Sequence, residues 1–415
     1  MDGAFALLNG LEVDWLRLRA GSGSAMDDDV DLLLRPPLRP ALAALQLAGF
    51  LQIPSWGRGS HSFLFGYDPA VDRWIKLDLV DEIAFGRHRT MRTSTEPDLL
   101  RRRVRSGNAW VLDPGDEFWA LLLHCVLDRR EFPSHHTERL SELVSVASVE
   151  SPLAQWFDRA TKGRTAQGVL EAVQAQRWQE LLKDAAPMER GWLRRHPDTL
   201  PELAARTVLR RSTKLLTLLR RRGLSVALLG PDGAGKSTLA AGLLRSFVFP
   251  TRAVYMGMYA AGRRGRAGFL GRVADLWRGW LVGWYHRLRG RLVVFDRYTY
   301  DALLDGGRQT IKRRMRRYLL AHACPAPHLV IVLDAPGELL YRRSREHSVA
   351  GLEEQRQRYL RLSDHLSHRR VVDASQDSDA VRREVISLVW SRYLERQQDP
   401  GSSRPAPRAA RPTPP

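Results

Sequence analysis

Between Leu224 and Leu244 the chain reads LSVALLGPDGAGKSTLAAGLL, an apolar strand that enters a glycine-rich turn and leaves it directly as a helix. This segment constrains the fold more than any other. A short, uniformly apolar strand followed by a helix belongs to a parallel sheet with covered faces, and the opening turn of that helix offers unpaired N–H groups and a partial positive charge. Gly230, Gly235, Lys236 and Ser237 meet the GxxxxGK[ST] spacing, in the strand-before, helix-after context that gives the spacing its meaning. Each residue type has a physical reason. Glycines let backbone N–H groups close around a β-phosphate, Lys236 spans the β- and γ-phosphates, and the Ser237 hydroxyl is offered to Mg²⁺. The segment therefore predicts an ATP or GTP site in the C-terminal half, against the bland alternative of a Gly-rich turn.

A chain of 415 residues with 44% hydrophobic content can supply more than one core, which favours two or three domains. Its 65 Lys+Arg against 46 Asp+Glu give a net charge of +19, and that balance favours anionic partners: nucleotides, nucleic acid or a membrane surface. Solvated basic faces in an Arg-rich composition account for the same charge without any nucleic acid. The two cysteines, Cys125 and Cys324, lie far apart in apolar surroundings and read as buried reduced thiols. The N-terminal stretch MDGAFALLNGLEVDW lacks a basic leader pattern, and no apolar run has the length of a membrane span, so a soluble cytoplasmic protein is expected.

Periodicity divides the chain into three regions and a tail. Residues 1–112 alternate short apolar runs with turns, which predicts a small α/β domain with strands at its centre. Residues 113–222 carry apolar stripes at helical spacing, starting with DEFWALLLHCVLDRREF after Pro114, and predict a helical domain or spacer. In residues 223–397 the strands VALLG, RAVYM, RLVVFD, HLVIVLD and RRVVDA alternate with helices, the pattern of a parallel sheet with helices on both faces. The Pro-rich residues 398–415 have no apolar periodicity and are expected to be disordered.

Within the third region VVFDRYTYD ends a strand in Asp296, whose carboxylate can orient Mg²⁺ or its water shell, and Arg297 can hold an acceptor phosphate. Arg342, Arg343 and Arg345 cluster between a later strand and a helix, where they can close over a transferring phosphoryl group as an Arg-rich lid. A surface salt bridge for the Asp-Arg pair and a solvated basic helix start for the arginines are the structural alternatives. Taken together, GPDGAGKST, DRY at 296–298, LDAPGELLYRRSRE and VVDASQD at 371–377 resemble the thymidylate kinase family of nucleoside monophosphate kinases over Leu224 to Glu395. The resemblance implies a phosphate loop of Gly230, Asp232, Gly233, Ala234, Gly235, Lys236, Ser237 and Thr238. It also implies ATP and Mg²⁺ as cofactors, and γ-phosphoryl transfer to a nucleoside monophosphate or other phosphorylated small molecule assisted by Lys236, Asp296, Arg297, Arg343 and Arg345. One departure is plain: where that family carries an Arg-Glu-Pro-Gly segment, this chain reads YMGMYAAGRRGRAGFLGRVADLWRGWLVGWYHRLRGR, which leaves the acceptor open. Trp277, Trp280 and Trp284 stand there at helical spacing. They read as a buried aromatic stripe, or as a cover for a substrate, a partner protein or a membrane surface.

Near the N-terminus Asp29 and Asp31 alternate along LRLRAGSGSAMDDDVDLLL, and Asp78 lies in a second strand, RWIKLDLVD. Alternating residues point to one side of a strand, so these acids can converge on Mg²⁺. The Gly23-Ser24 turn, Asp29, Asp31 and Asp78 resemble the nucleotidyltransferase superfamily, with a shorter gap between turn and acids than is usual there; a soluble acidic turn is the plain alternative. The expected whole is an α/β protein: a nucleotidyltransferase-like domain, a helical region and a thymidylate-kinase-like domain. Nucleotidyl transfer by the N-terminal acids and non-catalytic ATP binding are the competing functions.

Overall fold

The computed structural model describes residues 2–398 except 12, 19–27, 54, 56–58, 87–88, 162, 221–222, 258–268, 305–309 and 346. The Gly23-Ser24 turn and nearly all of the Pro-rich tail lie outside the described residues. The chain forms two compact units, Met1–Leu216 and Thr217–Pro415.

The first unit is built on seven strands: β1 (Trp15–Arg17), β2 (Asp28–Leu34), β3 (Leu51–Ile53), β4 (Ser62–Asp68), β5 (Arg73–Val80), β8 (Val104–Ser106) and β9 (Ala109–Val111), in the order β3-β4-β5-β2-β1-β9-β8. A separate two-stranded ribbon pairs β6 (Ala84–Phe85) with β7 (Met91–Arg92). Alternation along β2 sorts the two faces of the sheet. Val30, Leu32 and Leu34 pack with Phe5 and Leu8 of helix α1 (Asp2–Gly10) and Leu45 of α2 (Arg39–Leu47). Leu33 and Val80 belong to the opposite core, which they share with Leu99 of α3 (Glu96–Arg102) and with the helical region. That region begins at α4 (Pro114–Leu123), where Asp113 accepts a 3.0 Å hydrogen bond from the Gly115 N–H and Pro114 takes the first helical position. A π-helical turn, His124–Arg129, continues α4. There follow α5 (Ser134–Leu143), α6 (Pro152–Ala160), α7 (Ala166–Gln174), α8 (Trp178–Leu182) and α9 (Ala185–Arg195). Their buried side chains, among them Leu140, Phe157, Val169 and Met188, join Leu33, Val80 and Phe85 in one cluster. Sheet and helices, read from the sequence as residues 1–112 and 113–222, thus share a core. Helix α10 (Thr199–Arg220) follows, and the boundary between the two units falls within it.

The second unit is a five-stranded parallel sheet of β10 (Leu224–Leu229), β11 (Thr251–Tyr255), β12 (Leu292–Asp296), β13 (Leu329–Asp334) and β14 (Arg369–Asp373), ordered β11-β12-β10-β13-β14. All six residues of β10 are buried, as a central strand covered on both faces requires. The helices are α11 (Lys236–Ser246), α12 (Phe269–Leu288), α13 (Ile311–Ala321), α14 (Gly337–Ser344), α15 (Val349–Ser363) and α16 (Ser378–Gln398), with a 3₁₀ turn at Thr299–Leu303. Leu276, Leu320 and Tyr359, from α12, α13 and α15, pack with Ala227, Leu229, Val293 and Phe295 on one side of the sheet, and α11 meets α16. This is the α/β architecture that the alternation of strands and helices predicts. Cys125 and Cys324 are both buried and form no disulfide. Among the described residues no helix is long and apolar enough to cross a membrane.

Candidate functional site

In the second unit the carboxyl ends of β10, β12 and β13 open into a cleft of about 780 Å³. Strand β10 delivers the glycine-rich turn to its floor. Gly233 has φ +83°, and a Cβ there would lie 2.7 Å from the Leu340 carbonyl oxygen; Gly235, with φ +88°, turns the chain into α11. Both positions need a residue that enters the left-handed region without strain, which is what glycine provides. Asp232, Gly233, Ala234, Gly235, Lys236, Ser237 and Thr238 all line the cleft; Gly230 sits just before them with φ +146°.

Lys236 is 7% exposed, and its ammonium donates to the carbonyl oxygens of Gly230 (2.8 Å) and Pro231 (2.7 Å). The nearest carboxylate, that of Asp232, is 3.8 Å away. Burial, aided by the neighbouring Arg297 charge, pushes the ammonium pKa down to about 8. A buried cation whose hydrogen-bond partners are carbonyls, and whose neighbouring Asp232 carboxylate is shared with Arg297, favours the arrival of an anion. Beside it the Ser237 hydroxyl donates to Asp296 Oδ2 at 2.8 Å, joining the first turn of α11 to the end of β12. This is an oxygen-only donor pair, and it suits Mg²⁺ held by one or two protein oxygens with waters and phosphates completing the shell. Ser237 and Asp296 are therefore the residues that would hold the ion.

Arg297 follows Asp296 in a left-handed backbone conformation, φ +67°. Its guanidinium pairs with Asp232, and its other terminal nitrogen lies 3.7 Å from Asp301 Oδ2. Those two carboxylates raise the Arg297 pKa, outweighing the effect of burial. Asp301 is itself buried: Tyr359 of α15 donates to its Oδ1 at 3.2 Å, while Oδ2 accepts no hydrogen bond. Burial pushes the Asp301 carboxyl up to about 6, against the opposing pull of Arg297 and Lys236. Sequence reading assigned no role to Asp301, although it sits one helical turn beyond Arg297 in the same DRYTYD run. Tyr255, Arg245 and Arg382 also line the cleft, and no motif singled them out.

The candidate lid arginines separate. Arg343 lines the cleft and donates to the Ala374 carbonyl at 2.9 Å, tying α14 to the end of β14. Arg345 forms the left-handed C-cap of α14, is exposed, and is not among the residues lining the cleft. The tryptophans of α12 are not a buried stripe: Trp277 and Trp284 are 39% and 40% exposed, and Trp280, between them, is partly buried.

In the first unit the parallel register of β2 and β5 sets Asp31 opposite Asp78 and Asp29 opposite Lys76, so the three acids occupy positions on one face of the sheet. The Asp29 side chain lies outside the described residues. Asp78 is 8% exposed, and both its oxygens face His61 Nδ1, at 2.7 and 2.8 Å. Arg89 donates to His61 Nε2, which assigns the Nδ1–H to the Asp78 bond. His61 Nδ1 is thus the hydrogen-bond partner shared by both Asp78 oxygens. Among the described residues no group of three or more His, Cys, Asp or Glu side chains is placed to hold a metal ion; the Asp29 side chain, one of the three candidate acids, is outside that set.

No family model matches the sequence, and no curated protein matches it. Among solved structures, a thymidylate kinase from Candida albicans, described as revealing the origin of broad substrate specificity and a novel structural element, is similar to part of this chain. The similarity is 18% identity over 42% of this chain and 93% of that one, with a TM-score of 0.34.

Proposed function

We propose that the second unit is an ATP-dependent phosphotransferase that moves the γ-phosphoryl group to a phosphorylated small molecule, with nucleoside monophosphates the first class to test. The observation that carries this reading is the meeting of a buried Lys236 ammonium, the Ser237–Asp296 pair and Arg297 in one cleft at the strand ends. Phosphoryl transfer asks a protein for positioning and charge neutralisation more than for covalent chemistry. The N–H groups of the glycine-rich turn and of α11 face the β-phosphate, and Lys236 neutralises charge where the β–γ bridge accumulates it. Mg²⁺, held at Ser237 and Asp296, would neutralise the phosphate oxygens. Arg297 stands where an acceptor's own phosphate can exchange with one of its carboxylate partners. In the transfer an acceptor oxygen forms a bond to the γ-phosphorus as the bond to the β–γ bridging oxygen breaks, and ADP keeps that electron pair. Arg343, already anchored to Ala374, is the arginine placed to cover the donor phosphates.

The test is transfer of labelled γ-phosphate from Mg-ATP to a panel of nucleoside monophosphates and sugar phosphates, with Lys236→Ala as control. A product formed by the wild type and lost in the variant supports the reading. Equal transfer by both proteins, or tight ATP binding with no product from any acceptor, refutes it.

A further inference from the structure

Helix α13 is exposed along most of its length, and its side chains sort by chemistry. It reads IKRRMRRYLLA, with Lys312, Arg313, Arg314, Arg316 and Arg317 and no acid. At about 100° per residue, Ile311, Met315, Tyr318 and Leu319 fall on one side of the helix. They are 87%, 61%, 58% and 51% exposed, so the stripe faces water. Lys312 and Arg314 border it on its two sides, and Arg313 lies opposite. Leu320 and Ala321, in the last turn, are the buried residues of the helix. There the Ala321 carbonyl accepts a 2.8 Å hydrogen bond from the Thr299 hydroxyl, and the Arg316 guanidinium lies 4.9 Å from the centre of the Phe269 ring. These contacts fasten α13 to its unit and leave the apolar stripe turned outward.

We infer that α13 lies reversibly on an anionic lipid surface, its apolar stripe entering the boundary between headgroups and acyl chains and its basic side chains meeting lipid phosphates. Charge complementarity selects this occupant. A second copy of the helix would bring two sets of like charges together. A nucleic-acid backbone would satisfy the cations and leave Ile311, Met315, Tyr318 and Leu319 in water. An acidic lipid surface meets both halves of the helix, because its negative charge lies directly above hydrocarbon. Lys312 and Arg314 stand at the edges of the stripe, where their stems can follow the apolar layer while the charged ends stay at the phosphates. Tyr318, an apolar ring with a polar tip, is suited to the same boundary.

The experiment uses the full chain with a polarity-sensitive nitrobenzoxadiazole dye on Met315→Cys; Cys125 and Cys324 are buried, so the introduced thiol is the accessible one. Vesicles of phosphatidylglycerol and phosphatidylcholine at low salt should raise the emission and shift it to the blue, and pure phosphatidylcholine vesicles should not. The same dye on Arg313→Cys, on the opposite side, should respond weakly. Co-sedimentation of the unlabelled protein with the anionic vesicles should be lost in Ile311→Ser/Met315→Ser, and should weaken about fivefold for each charge removed in Lys312→Gln/Arg314→Gln. Both double variants change exposed side chains, so their melting temperatures should match that of the wild type. A wild type that neither co-sediments with the anionic vesicles nor changes its Met315 dye emission overturns the inference. So does co-sedimentation unaltered in Ile311→Ser/Met315→Ser, which makes the contact purely ionic, as a nucleic acid would give. A Met315 dye signal that rises with protein concentration in the absence of lipid also overturns it, since the occupant is then a second copy.

Discussion

Lys236 gives the sharpest test of the electrostatics. Its ammonium is buried with two carbonyl partners, and its pKa falls from the ordinary 10.5 to about 8. Between those values the unfolded chain binds a proton that the folded chain has released, so stability rises with pH across that window. The penalty is fully present below about pH 8, where Lys236 is charged in both states, and it is relieved as pH approaches 10.5. At about 1.4 kcal/mol per pH unit, the shift corresponds to about 3 kcal/mol. Lys236→Met keeps the apolar stem and removes the titrating group, which cancels the contributions of every other lysine and tyrosine in a comparison. Urea unfolding of both proteins at pH 7.5, 9 and 10.5 should show the wild type gaining about 3 kcal/mol on the variant across the series. An incoming triphosphate favours the charged ammonium, so Mg-ATP affinity of the wild type should fall by roughly tenfold per pH unit above pH 8, as titration calorimetry reads. Parallel stability curves for the two proteins would refute the reasoning, since they would mean that Lys236 titrates alike folded and unfolded.

Two other perturbations follow from the same cleft. Asp301 behaves in the opposite sense: its folded pKa of about 6 lies above the ordinary 3.8, so its contribution is present below about pH 4 and lost as pH rises through 6. Against Asp301→Asn, the wild type should lose about 2 kcal/mol between pH 4 and pH 7, measured by chemical unfolding. Gly233→Ala forces a Cβ to 2.7 Å from the Leu340 carbonyl at φ +83°, and should destabilise the second unit by about 2 kcal/mol, seen as a lower melting temperature.

The parts of the site that could be read from the sequence are those in which neighbours in the chain are neighbours in space. The glycine-rich turn is one contiguous run, so its residue types carry their geometry with them. The three inner strands of the second unit, β10, β12 and β13, were legible for a similar reason, because central parallel strands are uniformly apolar. The Ser237–Asp296 pair spans 59 residues, yet both members sit at strand or helix ends marked by apolar runs. His61 was not legible, because its meeting with Asp78 depends on the antiparallel register of β4 and β5 just upstream of Ser62. Asp301 was missed because its partner Tyr359 arrives from α15, 58 residues further on. The α12 tryptophans illustrate the limit of periodicity: a 3.6-residue stripe predicts an apolar face without saying whether this chain covers it.

The strand order of the second unit also bears on how such a protein can change. Strand β11 is at the rim of the sheet, and the segment from Met256 to Arg291 leaves and re-enters the fold there, while the glycine-rich turn and Asp296 are carried by β10 and β12 further in. The residues that would grip the donor triphosphate therefore come from outside that segment, although α12 packs Leu276 into the core beside β10 and β12. Changes confined to the exposed face of α12 would thus leave the donor cleft untouched, whereas changes at Leu276 or Gly283 reach the core against Val293 and Phe295, in the strand that ends in Asp296.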